Sequence, residues 1–277
     1  LLALIITIAE AHYWMAFHVD FARFSDNNKT SSQIGLVQSL GVIFSIVGPL
    51  FGALVISFAS FETLFLIVTI VLIISVVPMF FSKETHEPFE FEIKRVFSSK
   101  EFKHNWPFFA EGIRDYGARI FWPILLYMLA INIKELGGIF TLSNAVLAVF
   151  TFYVGKKITE GNKRRILKTG AITHSITLVI RSFLRSISFI AFVQGFGALT
   201  FSMLNIPFHL IFYQNSKNKG ISQIVYTRDL YLNIARFIAT ALLIILLFFI
   251  KPVAALTTMI IIGGLFALFM TWIKDEL

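Results

Sequence analysis

The stretch AEGIRDYGARIFWP, residues 110 to 123, sets Glu111, Arg114, Asp115 and Arg119 among strongly apolar neighbours. At about 100° per residue, Glu111, Asp115 and Arg119 fall near 0°, 40° and 80° and Arg114 near 300°, one helix face of about 140°. Such groups can do two kinds of chemistry. Arginine stays protonated at every accessible pH, so Arg114 or Arg119 can hold an anionic solute or a fixed counter-charge. A carboxylate in partly dry surroundings beside a guanidinium can load and release protons, and Glu111 or Glu10 is the candidate carrier. The other reading is self-satisfaction along the helix, Glu111 with Arg114 and Asp115 with Arg119. The residues alone leave both open. His12, His18, Asn205 and His209 add polar groups to other apolar runs. The histidines read as hydrogen-bonded cavity residues, because His12 and His18 are six apart on different helix faces and no metal-ligand spacing occurs.

The elements that must position these groups are membrane helices. The chain has 277 residues, is 57% hydrophobic and 14% charged, contains 32 phenylalanines and has a mean hydropathy of +0.79. Apolar runs of about 20 residues, enough to cross a hydrocarbon core of roughly 30 Å, recur throughout. They place nine spans at residues 1–24, 34–58, 61–81, 106–130, 138–154, 166–182, 187–212, 230–250 and 253–272. The net charge of +8 does not indicate nucleic acid, because the basic residues sit between apolar runs. Seventeen of them fall on one set of alternate loops, including Lys163, Arg164, Arg165 and Arg228, against four on the other: Lys134, Arg181, Arg185 and Lys251. The positive-inside rule then puts the C-terminus and the loop at 82–105 in the cytoplasm. That loop divides residues 1–81, with three helices, from residues 106–277, with six.

An internal repeat accounts for the uneven division. FHVDFARFSDNNKTSSQI, residues 17–34, resembles FHLIFYQNSKNKGISQI, residues 208–224, in its FH pair, a Phe three residues after the His, and SQI after a polar loop. Three spans precede the second copy within its half and none precedes the first. If the halves are parallel repeats, three helices are expected upstream of residue 1.

Two further patterns carry a family resemblance. GKKITEGNKRR, from Gly155 through Lys163, Arg164 and Arg165, sets a glycine, an acidic residue and a basic pair around a tight cytoplasmic turn. GVIFSIVGPLFGALV carries Gly41, Gly48, Pro49 and Gly52, a smooth helix face with a kinking proline. With six-plus-six helices and a cytoplasmic middle loop, the chain resembles the major facilitator superfamily of secondary transporters. The first pattern is similar to that family's cytoplasmic signature, although Thr159 stands where an acidic residue is usual and Asn162 where glycine is usual. The second is similar to its antiporters' glycine-proline motif, with Ala53 replacing a final glycine. The resemblance implies an all-α polytopic bundle, an N-terminally truncated six-plus-six fold. It implies transport of a small solute by alternating access and proton-coupled efflux. It also implies that the first, fourth and seventh spans line a central cavity, with Pro123 a hinge in the fourth.

The expected partners are an unidentified small-molecule solute, protons and membrane lipids, with no nucleic acid, no cofactor and a monomeric chain in the cell (inner or plasma) membrane. No cysteine is present, and no nucleophile elbow, phosphate loop, HExxH or CxxC pattern occurs, so a soluble-type active site is not expected. The terminal KDEL reads as chance, because that signal works in a lumen and this terminus is expected in the cytoplasm. Two other classes stay open: a membrane enzyme acting on lipids through Glu10, His12 and Asp115, and a non-transporting receptor or scaffold.

Overall fold

The computed structural model describes residues 2–26, 28–81, 96, 97, 99–129 and 133–275, and among these every regular element is helical. They are α1 (Leu2–Phe24), α2 (Thr30–Phe58), α3 (Phe61–Phe80), α4 (Ser99–Tyr116), a π-helical turn (Gly117–Phe121), α5 (Trp122–Met128), α6 (Ile133–Lys157), α7 (Lys163–Phe183), α8 (Ile187–Lys219), α9 (Ile221–Phe249) and α10 (Pro252–Phe269). A 3₁₀ turn, Met270–Trp272, follows. Among the described residues, six stretches are long and apolar enough to cross a membrane: Thr30–Gly48, Phe61–Pro78, Gly137–Lys157, Ile187–Asn218, Ile221–Phe249 and Pro252–Trp272. Hydrocarbon offers the backbone no water to bond, so a spanning segment must close its own hydrogen bonds as a helix. The result is a multi-pass helical membrane bundle. The other three expected spans are helical as α1, α4–α5 and α7, the segments that carry charged and hydroxyl side chains. Most of the expected linker at 82–105 lies outside the described residues.

Outer faces are apolar. Phe44, Phe51, Phe58, Phe65 and Phe80 are all exposed, as lipid contact requires. A Cβ on Gly41 or Gly48 would meet no atom within 4 Å, and one on Gly52 would reach only the Leu64 side chain at 3.7 Å. That smooth face is uncovered by the described residues. The side chain of Pro49 lies outside them.

Inside, close helix crossings set the architecture. α2 packs on α6 where a Cβ on Gly155 would lie 2.9 Å from the Gly35 Cα and from the Ser31 carbonyl oxygen. α4 meets α9 at Gly112, whose Cβ would strike the Leu232 carbonyl oxygen at 2.5 Å. Only glycine fits at either place. The second crossing seats the charged face of α4 against α9. α8 passes to α9 through Gly220 alone, at φ 102°, a left-handed conformation that glycine adopts without strain.

The charged side chains lie where two apolar cores meet. On α4, Ala110 belongs to one core and Ile113 to the other; on α9 the same division falls between Tyr231 and Ala235. Pro123 stands in the first turn of α5, directly after the π turn. A proline there has no N–H for the carbonyl four residues back, that of Arg119, and its ring crowds it. The widened turn absorbs that conflict and resets the helix phase. The single expected span at 106–130 is therefore built of two helices.

Candidate functional site

Arg228 is the hub. It is 5% exposed, and its Nε donates to Glu111 Oε2 at 3.0 Å while its Nη2 donates to Glu111 Oε1 at 2.7 Å, a forked pair across the α4–α9 crossing. Asp229 Oδ1 lies 3.4 Å from Arg228 Nη1. His209 Nε2 sits 3.2 Å from Arg228 Nη2, and His18 Nε2 sits 3.3 Å from Nη1. Arginine has donors only, so both Nε2 atoms must present lone pairs and both ring protons must reside on Nδ1. The surroundings agree: His209 Nδ1 donates to the Asn205 carbonyl at 2.9 Å, and His18 Nδ1 donates to the Tyr213 hydroxyl oxygen at 2.7 Å. Both rings are neutral in this arrangement. The guanidinium also lies over the Phe212 ring, 4.9 Å from its centre.

His18 and His209 are the matching histidines of the two FH copies. Their rings stack at 6.2 Å between centroids, one contributed from each side of the 82–105 segment. The repeat aligns Arg228 with Gln38, and Gln38 accepts a hydrogen bond from Asn205 Nδ2 at 3.2 Å. Polar contacts thus link the two segments at more than one place.

One turn along α4, Asp115 gathers a second group. Arg236 Nη2 donates to its Oδ2 at 2.9 Å, Arg119 Nη1 approaches Oδ1 at 3.4 Å, and Arg114 Nη1 stands 3.8 Å away. Glu111, Arg114 and Asp115 are buried, whereas the side chain of Arg119, carried on the π turn, is 69% exposed. The expected Asp115–Arg119 pair is present but shared. Glu111 is held by Arg228 rather than by Arg114, because α9 delivers a guanidinium with better geometry than any neighbour on α4.

His12 is exposed on α1, and the side chain of Glu10 lies outside the described residues. Pro207 is buried within α8. Gly155 lies in the last turn of α6 and the loop after it is compact: Asn162 accepts from the Thr159 N–H at 2.8 Å and donates to the Lys157 carbonyl at 2.9 Å. Lys163 is buried, not solvated, and donates to Glu160, to Gln214 at 2.8 Å and to Asp275 at 3.0 Å. Arg164 donates to the Ile273 carbonyl, while Arg165 is exposed. Partial burial works against the Glu160 charge, but hydrogen bonds from Lys163 and Gln214 and the Lys163 charge outweigh it and hold the carboxyl below its ordinary value. Among the described residues no group of His, Asp and Glu is arranged to hold a metal ion.

No family model, curated protein or solved structure matches the chain. The functional reading therefore rests on the site itself.

Sequence reasoning left out Arg228 and Asp229 as site residues. The signal for both was present. Val225, Arg228, Asp229, Leu232, Ala235 and Ala239 are buried at helical spacing along α9, which begins at Ile221. Hydropathy alone started that span at 230, because ISQIVYTRD is polar enough to read as loop.

Proposed function

We propose that the protein is a secondary active carrier of the major facilitator kind, moving a small solute by alternating access between one half that includes residues 1–81 and another formed by residues 106–277. The observation that carries this reading is Arg228. It ties Glu111 on α4 to His18 on α1, so the two segments meet through a buried ionic and imidazole network and not through interlocked apolar side chains alone. Buried charges inside a membrane bundle are expensive and ordinarily line solute or ion pathways. A network of this kind can exist made or broken, which rocking halves require.

Proton coupling follows from the same contacts. Protonation of Glu111 at either carboxyl oxygen cancels its charge and removes the forked attraction to Arg228. Arg228 then keeps Asp229 and the two histidine lone pairs as partners. The link between α4 and α9 loosens, and the contact of α9 with α1 is free to rearrange. The reading includes nine spans, a cytoplasmic C-terminus and the parallel repeat, for which the His18–His209 stack is the supporting contact.

The test is flux in proteoliposomes under an imposed proton gradient, with a panel of labelled solutes. The carrier reading expects uptake of at least one solute that responds to the gradient, and expects Glu111→Gln to keep solute exchange while losing the gradient response. Absence of flux for the whole panel refutes transport. An unchanged gradient response in Glu111→Gln refutes the assignment of the proton to that residue.

A further inference from the structure

A groove opens between the start of α7 and the end of α10. The two helices are in tight contact at Gly264, where a Cβ would lie 3.1 Å from the Ser175 carbonyl oxygen. One turn nearer the C-terminal tail they leave an open space of about 280 Å³, lined by Lys168, Ile172, Leu268, Phe269, Thr271 and Trp272. Its apolar wall is braced from behind. Trp272 meets Phe269 edge-on at 4.9 Å between centroids, Phe269 meets Phe266 at 5.5 Å, and Phe266 meets Trp106 of α4 at 5.9 Å. Ile172 is 52% exposed and Trp272 60%, so the groove faces outward from the bundle.

The mouth of this groove carries unmatched positive charge. At about 100° per residue, Lys168, Ile172 and Arg165 fall near 0°, 40° and 60° on one face of α7. Arg165, Lys168 and Lys274 are all exposed. The nearby carboxylates are already engaged: Lys163 takes Glu160 and Asp275, and Arg164 Nε stands 3.7 Å from Asp275. That leaves Arg165, Lys168 and Lys274 with no carboxylate partner among the described residues. Arg164 donates to the Ile273 carbonyl and Asn215 Nδ2 to the Lys274 carbonyl at 2.8 Å, so the tail that carries Lys274 is held in place. The groove therefore lies where apolar helix gives way to charged chain, with an exposed tryptophan beside it, the pattern of a membrane–water boundary.

We propose that this groove binds an anionic glycerophospholipid, one acyl chain lying against Ile172, Leu268 and Phe269 and the phosphate meeting Lys168. Arg165 and Lys274 add to the attraction from either side. The two halves of the site need one ligand that is both apolar and negatively charged. A free anion gains nothing from the aromatic wall, and a zwitterionic lipid gains no net attraction from three cations. Each Lys or Arg near the membrane surface raises affinity for an acidic lipid by about fivefold. A lipid seated there touches α7 and the turn after α10 together, and so reinforces the clasp that Lys163 and Asp275 make between the same two elements. The site requires the membrane bundle and not transport.

Native mass spectrometry of the purified full chain in neutral detergent tests this, with phosphatidylglycerol and phosphatidylcholine of identical dioleoyl chains titrated separately. The first phosphatidylglycerol should bind at least about fivefold more tightly than the first phosphatidylcholine. Lys168→Gln should cut that preference by about fivefold. Lys29→Gln, the same charge change at an exposed lysine before α2, should leave it unchanged. Ile172→Trp keeps every charge but fills the groove, and should weaken the first binding step for phosphatidylglycerol. Both groove positions are exposed, and an unchanged melting temperature shows that the variants fold. Equal affinity of the wild-type chain for the two lipids overturns the proposal. So does an equal effect of Lys168→Gln and Lys29→Gln, or unchanged binding in Ile172→Trp. Displacement of phosphatidylglycerol by inorganic phosphate would mark a free-anion site and overturn it as well.

Discussion

The forked pair of Arg228 and Glu111 makes a quantitative demand. Its two side chains are 6% and 5% exposed, so solvent screens the interaction little. Removing one partner of a buried pair costs about 3–5 kcal/mol, because the other charge is left in a low-dielectric site. Arg228→Gln belongs near the upper end, since His209 Nε2, 3.7 Å from Glu111, turns a lone pair and not a proton toward it. Glu111→Gln belongs near the lower end, because Arg228 keeps Asp229 at 3.4 Å. The double variant leaves two neutral amides able to bond one another, so its loss should fall short of the sum by roughly 1–3 kcal/mol. Equilibrium unfolding by SDS in mixed micelles, followed by tryptophan fluorescence, measures all four proteins. Strict additivity, or single losses below about 0.5 kcal/mol, would refute the claim that this pair holds α4 to α9.

Three other outcomes are expected. Gly155→Leu drives a side chain into the Gly35 Cα and the Ser31 carbonyl and should cost about 1–3 kcal/mol; an unchanged melting temperature in detergent would contradict that crossing. Pro123→Ala restores an N–H that can bond the Arg119 carbonyl, so the π turn should revert to α-helix and rotate residue 119 inward. With Arg119→Cys in the otherwise cysteine-free chain, maleimide labelling should slow on adding Pro123→Ala, and equal rates would count against the proline as its cause. The depressed Glu160 carboxyl gives a signed pH effect: its contribution is complete above the ordinary value of 4.5 and is lost as pH falls through the lower folded value. Hydrogen exchange in the 158–164 loop should rise across that acid range in the wild type and be flat in Glu160→Gln, and identical profiles would remove the role assigned to Glu160.

Long apolar runs were legible because each spanning helix closes its own backbone bonds, so α3, α6, α8 and α10 follow from local composition. The charged face of α4 was legible for a related reason: Glu111, Arg114 and Asp115 recur at helical spacing in a window too apolar to be a loop. Their partners were not. Which guanidinium takes Glu111 depends on how α9 crosses α4 at Gly112, a fact separated from Glu111 by 117 positions. Lys163 misled for the same reason. Its local sequence is that of a solvated basic loop, and only Asp275, 112 positions away, and Gln214 account for its burial. The exposure of Arg119 depended on a π turn, a change of helix phase that regular periodicity does not foresee.

The Gly35–Gly155 crossing has one more consequence. Backbone rests on backbone there, and Ser39 Oγ donating to the Ala148 carbonyl at 2.9 Å and Ser31 Oγ donating to the Ile158 carbonyl at 3.3 Å fix the two helices on either side of it. Such a contact resists both separation and sliding. It is a fixed joint between the segments, and it leaves Arg228 and the histidine pair as the contact that can open and close.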